Sequence, residues 1–212
     1  IGKDYYEDLT ADRLAGIIIW NEPNPSLEWA GQPPDPAAYL VLLRAAYDSV
    51  KAANPDLPVL LAGLAFTEGD GTNMNDLTYL EQLYEAGGGA YFDILAAPPY
   101  GFGRPPSDPP APDRLNFRRV ELHRQIMATH GDEDKPVWVT EAGWRTSAPN
   151  PEDSWQVVTP AENLDAFPIS GAWILIDAIN NVDNGMGLDE DDGWGIPKNW
   201  ISDNGGGMLP SR

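Results

Sequence analysis

The chain has 212 residues, enough for a domain with a sizeable apolar core, and carries a formal net charge of −20. That acidity argues against nucleic acid and against anionic membrane surfaces, both of which need basic patches, and no run of about 18 apolar residues is present to span a bilayer. With no cysteine there is no disulfide framework, thiolate nucleophile or Cys-based zinc site, while 21 glycines, 21 prolines and eight tryptophans suit long surface loops and many aromatic faces.

Residues 1 to 15 read as the end of a helix and a linker, with Tyr5, Tyr6 and Leu9 as apolar contacts. The run Ile17-Ile18-Ile19-Trp20 is bulky and mostly β-branched, the pattern of a parallel strand buried on both faces. It stops at Asn21-Glu22-Pro23-Asn24. Pro23 biases Glu22 away from the helical region, so its carboxylate is expected on an extended segment just past the strand end. Trp29 lies in the long loop that follows. Asp35 reads as an N-cap with Pro36 at the first helical position, and Tyr39, Leu42, Leu43, Ala46, Tyr47 and Val50 form one apolar helix face that Asn54-Pro55 terminates.

Pro58 to Leu64 is the next predicted strand, followed by a helix with Leu77, Leu80 and Tyr84 on one face and the glycines 87 to 89 as its stop. Asp93 to Ala97 is the third strand and runs into Pro98-Pro99-Tyr100. The proline-rich loop Gly101 to Pro112 is expected to be extended rather than disordered. A helix from Arg114 to His130, with Leu115, Leu122 and Ile126 inward, precedes the fourth strand, Pro136 to Thr140, which delivers Glu141 at its C-terminal end. A short helix from Thr159-Pro160 and a fifth strand, Ala172 to Asp177, complete the reading before an acidic, Gly-rich tail.

The apolar cores of these strands start near residues 17, 59, 94, 137 and 173. Strands alternating with helices at intervals of roughly 35 to 43 residues imply repeated βα units and a parallel sheet. Five such units do not close an eight-stranded barrel, which needs about 250 residues. The expected fold is therefore α/β, either an open sheet or a partial (β/α)8 TIM barrel whose first three units are absent. The first residue, Ile1 rather than Met, favours the partial barrel. Residues 1 to 212 are read as one domain.

Elimination narrows the chemistry. The two histidines, His123 and His130, fall on the helix before the fourth strand, away from strand ends, and are expected to be solvated or capping residues; a Ser/His/Asp triad or His-ligated metal is disfavoured. No Gly-rich phosphate loop follows a strand. Asp189-Glu190-Asp191-Asp192 departs from the spacing of an EF-hand loop and reads as a solvated acidic turn rather than a calcium site. No metal or cofactor is expected. What remains is a pair of strand-end carboxylates, Glu22 and Glu141. Retaining glycosidases need two carboxyl groups about 5 to 5.5 Å apart, one protonated to assist the leaving oxygen and one ionised to attack the anomeric carbon.

Trp20-Asn21-Glu22-Pro23-Asn24 together with Thr140-Glu141-Ala142-Gly143-Trp144 resembles the clan A glycoside hydrolases, a (β/α)8 superfamily that includes many cellulases, mannanases and β-xylosidases. The resemblance covers most of residues 14 to 177 and implies that the five strands correspond to the family's fourth to eighth. It implies Glu22 as acid/base, Glu141 as nucleophile and Asn21 as the residue that hydrogen-bonds the sugar 2-hydroxyl. Tyr100 is similar to the tyrosine that hydrogen-bonds the nucleophile, and Trp173 to the aromatic floor of the sugar subsite, a core tryptophan being the other reading. Trp144, Trp29, Trp155 and Trp194, in loops at or beyond strand ends, are candidates to stack on sugar faces or to cover the barrel mouth, Trp144 first among them.

Related sequences commonly carry His-Pro-Tyr where this chain has Pro98-Pro99-Tyr100, and the family's first three units, with an arginine and other substrate contacts, are missing, which would leave a sheet edge and half the site rim exposed. The expected activity is hydrolysis of β-glycosidic bonds in oligo- or polysaccharides with retention. The alternatives are a non-catalytic carbohydrate-binding or degenerate barrel and, more remotely, a metal-dependent hydrolase. A polysaccharide substrate implies an extracellular or cell-surface location.

Overall fold

The computed structural model describes residues 14 to 144 and 151 to 157. The predicted fifth strand, the Thr159-Pro160 helix, Trp173, Trp194, the acidic run 189 to 192 and the first 13 residues lie outside the described residues. The chain divides into two compact units, one formed by Ile1–Pro98 with Val120–Val139, the other by Pro99–Arg119 with Thr140–Arg212.

The first unit is an α/β layer. Strands β1 (Ile17–Ile19), β2 (Val59–Leu61), β3 (Ile94–Ala97) and β4 (Val137–Val139) begin where the apolar runs begin and form a parallel sheet in chain order. The register aligns Ile19 with Leu61, Leu61 with Leu95, and Leu95 with Val137. These residues share one face because side chains alternate along a strand. They pack against helices α1 (Pro36–Ala53), α2 (Asp76–Glu85) and α3 (Val120–Thr129), with Tyr39, Leu43, Tyr79, Leu80, Leu83 and Met127 buried between the layers.

Helix α1 follows its sequence signals closely. The Asp35 carboxylate accepts from the Ala37 and Ala38 amides at 2.9 and 3.1 Å, Pro36 occupies the first turn, and Asn54 ends the helix. Its inward face differs from expectation by one position: Leu42 is exposed, and Leu40 packs against the core instead. Helix α2 is capped by Asn75, which accepts from the Thr78 amide at 3.0 Å, and the chain leaves it through Gly87 at φ 90°, a left-handed conformation that glycine adopts without steric cost.

Two expectations are corrected here. The third helix does not run from Arg114. A 3-10 turn, Phe117–Arg119, precedes α3, and the buried positions of α3 are His123 and Met127; Ile126 packs against the core as expected, whereas Leu115 and Leu122 are only half-buried. A polar attraction sets this face, because His123 is drawn inward by a buried carboxylate, Asp76. Secondly, β1 is not buried on both faces. Ile18 is 44% exposed and Trp138 of β4 is 39% exposed, both on the sheet face opposite the helices. On that face Leu60, Ile94 and Ala96 of the two inner strands are buried together.

Leu61 sits fully buried on the helix-covered face at the centre of this layer. Leu61→Ala should lower unfolding free energy by about 2 to 5 kcal/mol, the range for a core leucine whose cavity relaxes only partly. Chemical denaturation of the two proteins checks this.

Candidate active site

Every candidate carboxyl follows the C-terminal end of a parallel strand, which is where the loops of an α/β sheet carry chemistry. In the first unit β1 leads directly into Trp20, Asn21 and Glu22. Asn21 is exposed, Glu22 half-buried, and Pro23 and Asn24 are buried. The segment is not extended as Pro23 suggests: Trp20 lies at φ 75° and Glu22 at φ 39°, both left-handed. The reason lies in what holds the flanking residues. Upstream, the Ile19 carbonyl accepts a hydrogen bond of 2.8 Å from the Tyr39 hydroxyl, whose oxygen accepts in turn from the Ala62 amide at 3.0 Å. Burial pushes the Tyr39 hydroxyl far above the usual tyrosine range, so it stays protonated and remains a donor. Downstream, the Asn24 side chain donates to the carbonyls of Ala65 and Met74 at 2.8 and 3.0 Å and accepts from the Ala65 amide at 2.8 Å.

The loop that receives Asn24 is itself built around a carboxylate. Asp70 accepts from the Thr72 hydroxyl at 2.7 Å, the Asn73 and Thr72 amides at 2.8 and 3.0 Å, and the Asn73 side chain at 2.9 Å. These bonds, the Thr72 hydroxyl foremost, lower its pKa from 3.8 to about 2. The loop returns to the Glu22 segment through Ser26 N–H to Thr72 C=O and Met74 N–H to Asn24 C=O. At its far end Asp76 accepts from the Thr67 amide at 3.2 Å and pairs with His123 Nε2 at 2.8 Å, both side chains fully buried. His123 is therefore neither solvated nor a cap, contrary to expectation. His130 pairs with Glu81 at 2.8 Å and stacks on Tyr84.

In the second unit the Tyr100 hydroxyl donates to Glu141 Oε2 at 2.7 Å, with both residues half-buried. The turns that carry them are joined by Gly101 N–H to Gly143 C=O at 3.0 Å. Trp144 is placed differently from the expected exposed aromatic. It is 1% exposed, its indole nitrogen donates to Arg104 C=O at 2.8 Å, and its ring lies 5.2 Å from that of Phe117. A Cβ on Gly101 would fall 1.7 Å from that indole nitrogen, so only glycine lets the ring seat. A ring with no exposed face offers none to a sugar. Trp155 is 58% exposed and stacks parallel to Phe102 at 6.1 Å. Trp29, in the first unit, is half-buried, edge-on to Trp20 and Tyr39.

Sequence reasoning quoted Asn24 within its motif and gave it no role, and it read Tyr39 as an apolar contact. The one available signal was that a buried tyrosine or asparagine needs partners for its polar atoms. Among the described residues no cluster of three His, Asp or Glu side chains is arranged to hold a metal ion.

The chain matches no protein-family profile and no curated protein sequence. Among solved structures it is similar to a GH128 (subgroup II) endo-beta-1,3-glucanase from Sorangium cellulosum, at 18% identity and a TM-score of 0.44, over 71% of this chain and 53% of that one. It is similar also to a glycoside hydrolase family 17 beta-1,3-glucanosyltransferase from Rhizomucor miehei, at 14% identity and a TM-score of 0.44, over 77% of this chain and 50% of that one. A protein of Neocallimastix frontalis is 15% identical with a TM-score of 0.42, over 66% of this chain and 29% of that one. The chain thus spans about half the length, or less, of these structures.

The Asp70 turn carries its own pH dependence. Because its folded pKa lies below the ordinary value of 3.8, its stabilising contribution is complete above that value and is lost as pH falls through about 2. An NMR titration of the Asp70 carboxyl should show a midpoint near 2, and Thr72→Ala should raise it.

Proposed function

We propose that this chain carries the catalytic carboxylates of a retaining β-glycoside hydrolase built on part of a (β/α)8 barrel. Glu22 is the general acid that protonates the glycosidic oxygen, and Glu141 attacks the anomeric carbon. Water then releases the glycosyl group with Glu22 acting as base, so the product keeps the β-configuration. Asn21, exposed beside Glu22, is assigned to the sugar 2-hydroxyl, and Trp173 to the floor of the subsite. Trp144 is left out of the substrate contacts because it is buried. The substrate is an oligo- or polysaccharide outside the cell, and the reaction needs no cofactor.

The observation that carries this reading is the 2.7 Å hydrogen bond from Tyr100 to Glu141. A nucleophilic carboxylate has to be presented in one orientation with its charge partly balanced, and a charge-assisted bond from a phenol does both. In support of the partial barrel, the sheet face opposite the helices is apolar, and its residues on the two outer strands, Ile18 and Trp138, are the exposed ones. In a closed barrel this face is the packed interior, filled by layers of side chains from alternate strands.

Two outcomes test the assignment. Glu141→Gln should abolish turnover of every β-glycoside and Glu22→Gln turnover of those with unactivated leaving groups, both while leaving the melting temperature unchanged, and anomeric analysis of product from the unsubstituted protein should show retention. Sugar binding by this chain without turnover would favour a carbohydrate-binding role. Tyr100→Phe removes one hydrogen bond to a charged group, worth about 1.5 to 3 kcal/mol. It should therefore lower kcat/KM by roughly 10- to 100-fold. An unchanged value would remove Tyr100 from the site.

A further inference from the structure

The short path from Ile19 to Asn24 contains two left-handed residues, Trp20 at φ 75° and Glu22 at φ 39°, and neither is a residue type that tolerates that region. Such conformations persist only where the surroundings over-determine them. Here both ends are held. The Ile19 carbonyl is fixed by the Tyr39 hydroxyl, which also takes the Ala62 amide just beyond β2. Asn24 is fixed through its side chain to Ala65 and Met74 and through its carbonyl to the Met74 amide. Tyr39 and Asn24 are both fully buried. Ala62, Ala65 and Met74 lie on one stretch, just past β2 and in the loop after it, so both ends of the Glu22 segment are referred to the same neighbour, one of them through Tyr39.

We propose that Tyr39 and Asn24 are positioning residues that set the direction of the Glu22 carboxyl by clamping the two ends of its left-handed segment. The proposal rests on Glu22 being the acid/base. Tyr39 is on α1, and its hydroxyl reaches the Glu22 segment through backbone groups, the Ile19 carbonyl and the Ala62 amide. Removing its hydroxyl leaves the ring in the core and releases the Ile19 carbonyl, so the turn can relax toward ordinary φ values and carry the carboxyl off line.

Leaving-group dependence separates this role from plain stabilisation. A general acid matters for an alkyl or unactivated phenyl glycoside, whose leaving oxygen needs a proton, and hardly at all for a dinitrophenyl glycoside, which departs as the anion. In this protein, Tyr39→Phe should lower kcat/KM for the unactivated substrate by roughly 10- to 100-fold, the scale of a displacement of about 1 Å. It should change the value for the dinitrophenyl substrate by less than about 3-fold, since that step does not draw on the acid. Asn24→Ser, which shortens the side chain so that it no longer spans to Ala65 and Met74, should show the same split and serves if Tyr39→Phe does not fold. Equal losses on both substrates, no loss on either, or failure of both variants to fold would overturn the proposal. Glu22→Gln is the control. If it lacks the same split, or if the unsubstituted protein turns over neither glycoside, the acid/base reading fails first and the clamp falls with it. If it shows the split and Tyr39→Phe does not, the clamp alone is rejected.

Discussion

Where a parallel strand ends, its last amides and carbonyls lose their ladder partners while still surrounded by core, and each must find another partner or destabilise the fold. In the first unit that constraint is met by three buried polar side chains. Tyr39 bridges the ends of β1 and β2, Asn24 takes both backbone groups of Ala65, and Asp76 takes the Thr67 amide while pairing with His123. Each comes from a helix or loop that packs on the sheet for apolar reasons and carries a polar atom to its edge. The loops beyond the strands therefore inherit their geometry from the helix layer behind them.

The second unit meets the same constraint with different chemistry, because its loop is rich in proline. Proline contributes a carbonyl and no amide, so such a loop has more acceptors than donors. The missing donors are supplied by side chains. Arg119, fully buried, donates to the carbonyls of Ala111, Pro112 and Arg114; Asn116 donates to those of Asp108 and Pro109; and the Trp144 indole donates to that of Arg104. Asp108 adds a charge partner for Arg114 and a second acceptor for Asn116. This explains why the helix does not begin at Arg114 as its sequence suggests: Asn116 and Arg119 are committed to the loop. It also explains why Trp144, three residues after a candidate nucleophile, serves packing.

The legible features were those fixed by local rules. Asp35-Pro36 and Asn54 bound α1 where capping chemistry puts them, and the apolar runs marked the start of β1 to β4. Features that depend on a partner distant in sequence were misread. The position of His123 on α3 gives no hint of the carboxylate on α2 that buries it, and Tyr39 looks like any other apolar-face aromatic until the strand carbonyl beside it is known. The Trp20 to Asn24 turn shows the limit most clearly. Pro23 sets a local preference for extended backbone, and Asn24 and Tyr39, acting through residues on β2 and its loop, overrule it.

By itself, then, the sequence determined the alternation of strands and helices, their capping and the placement of Glu22 and Glu141 just past strand ends, because periodicity, caps and strand length are encoded within a few residues. Only the tertiary structure decided the rest. It brought Tyr100 onto Glu141, turned Trp144 inward, exposed Ile18 and fixed Glu22 in a left-handed conformation. These outcomes arise from hydrogen bonds and contacts between segments far apart in the chain, each formed because a buried polar group or an apolar ring must be satisfied by whatever the fold places beside it.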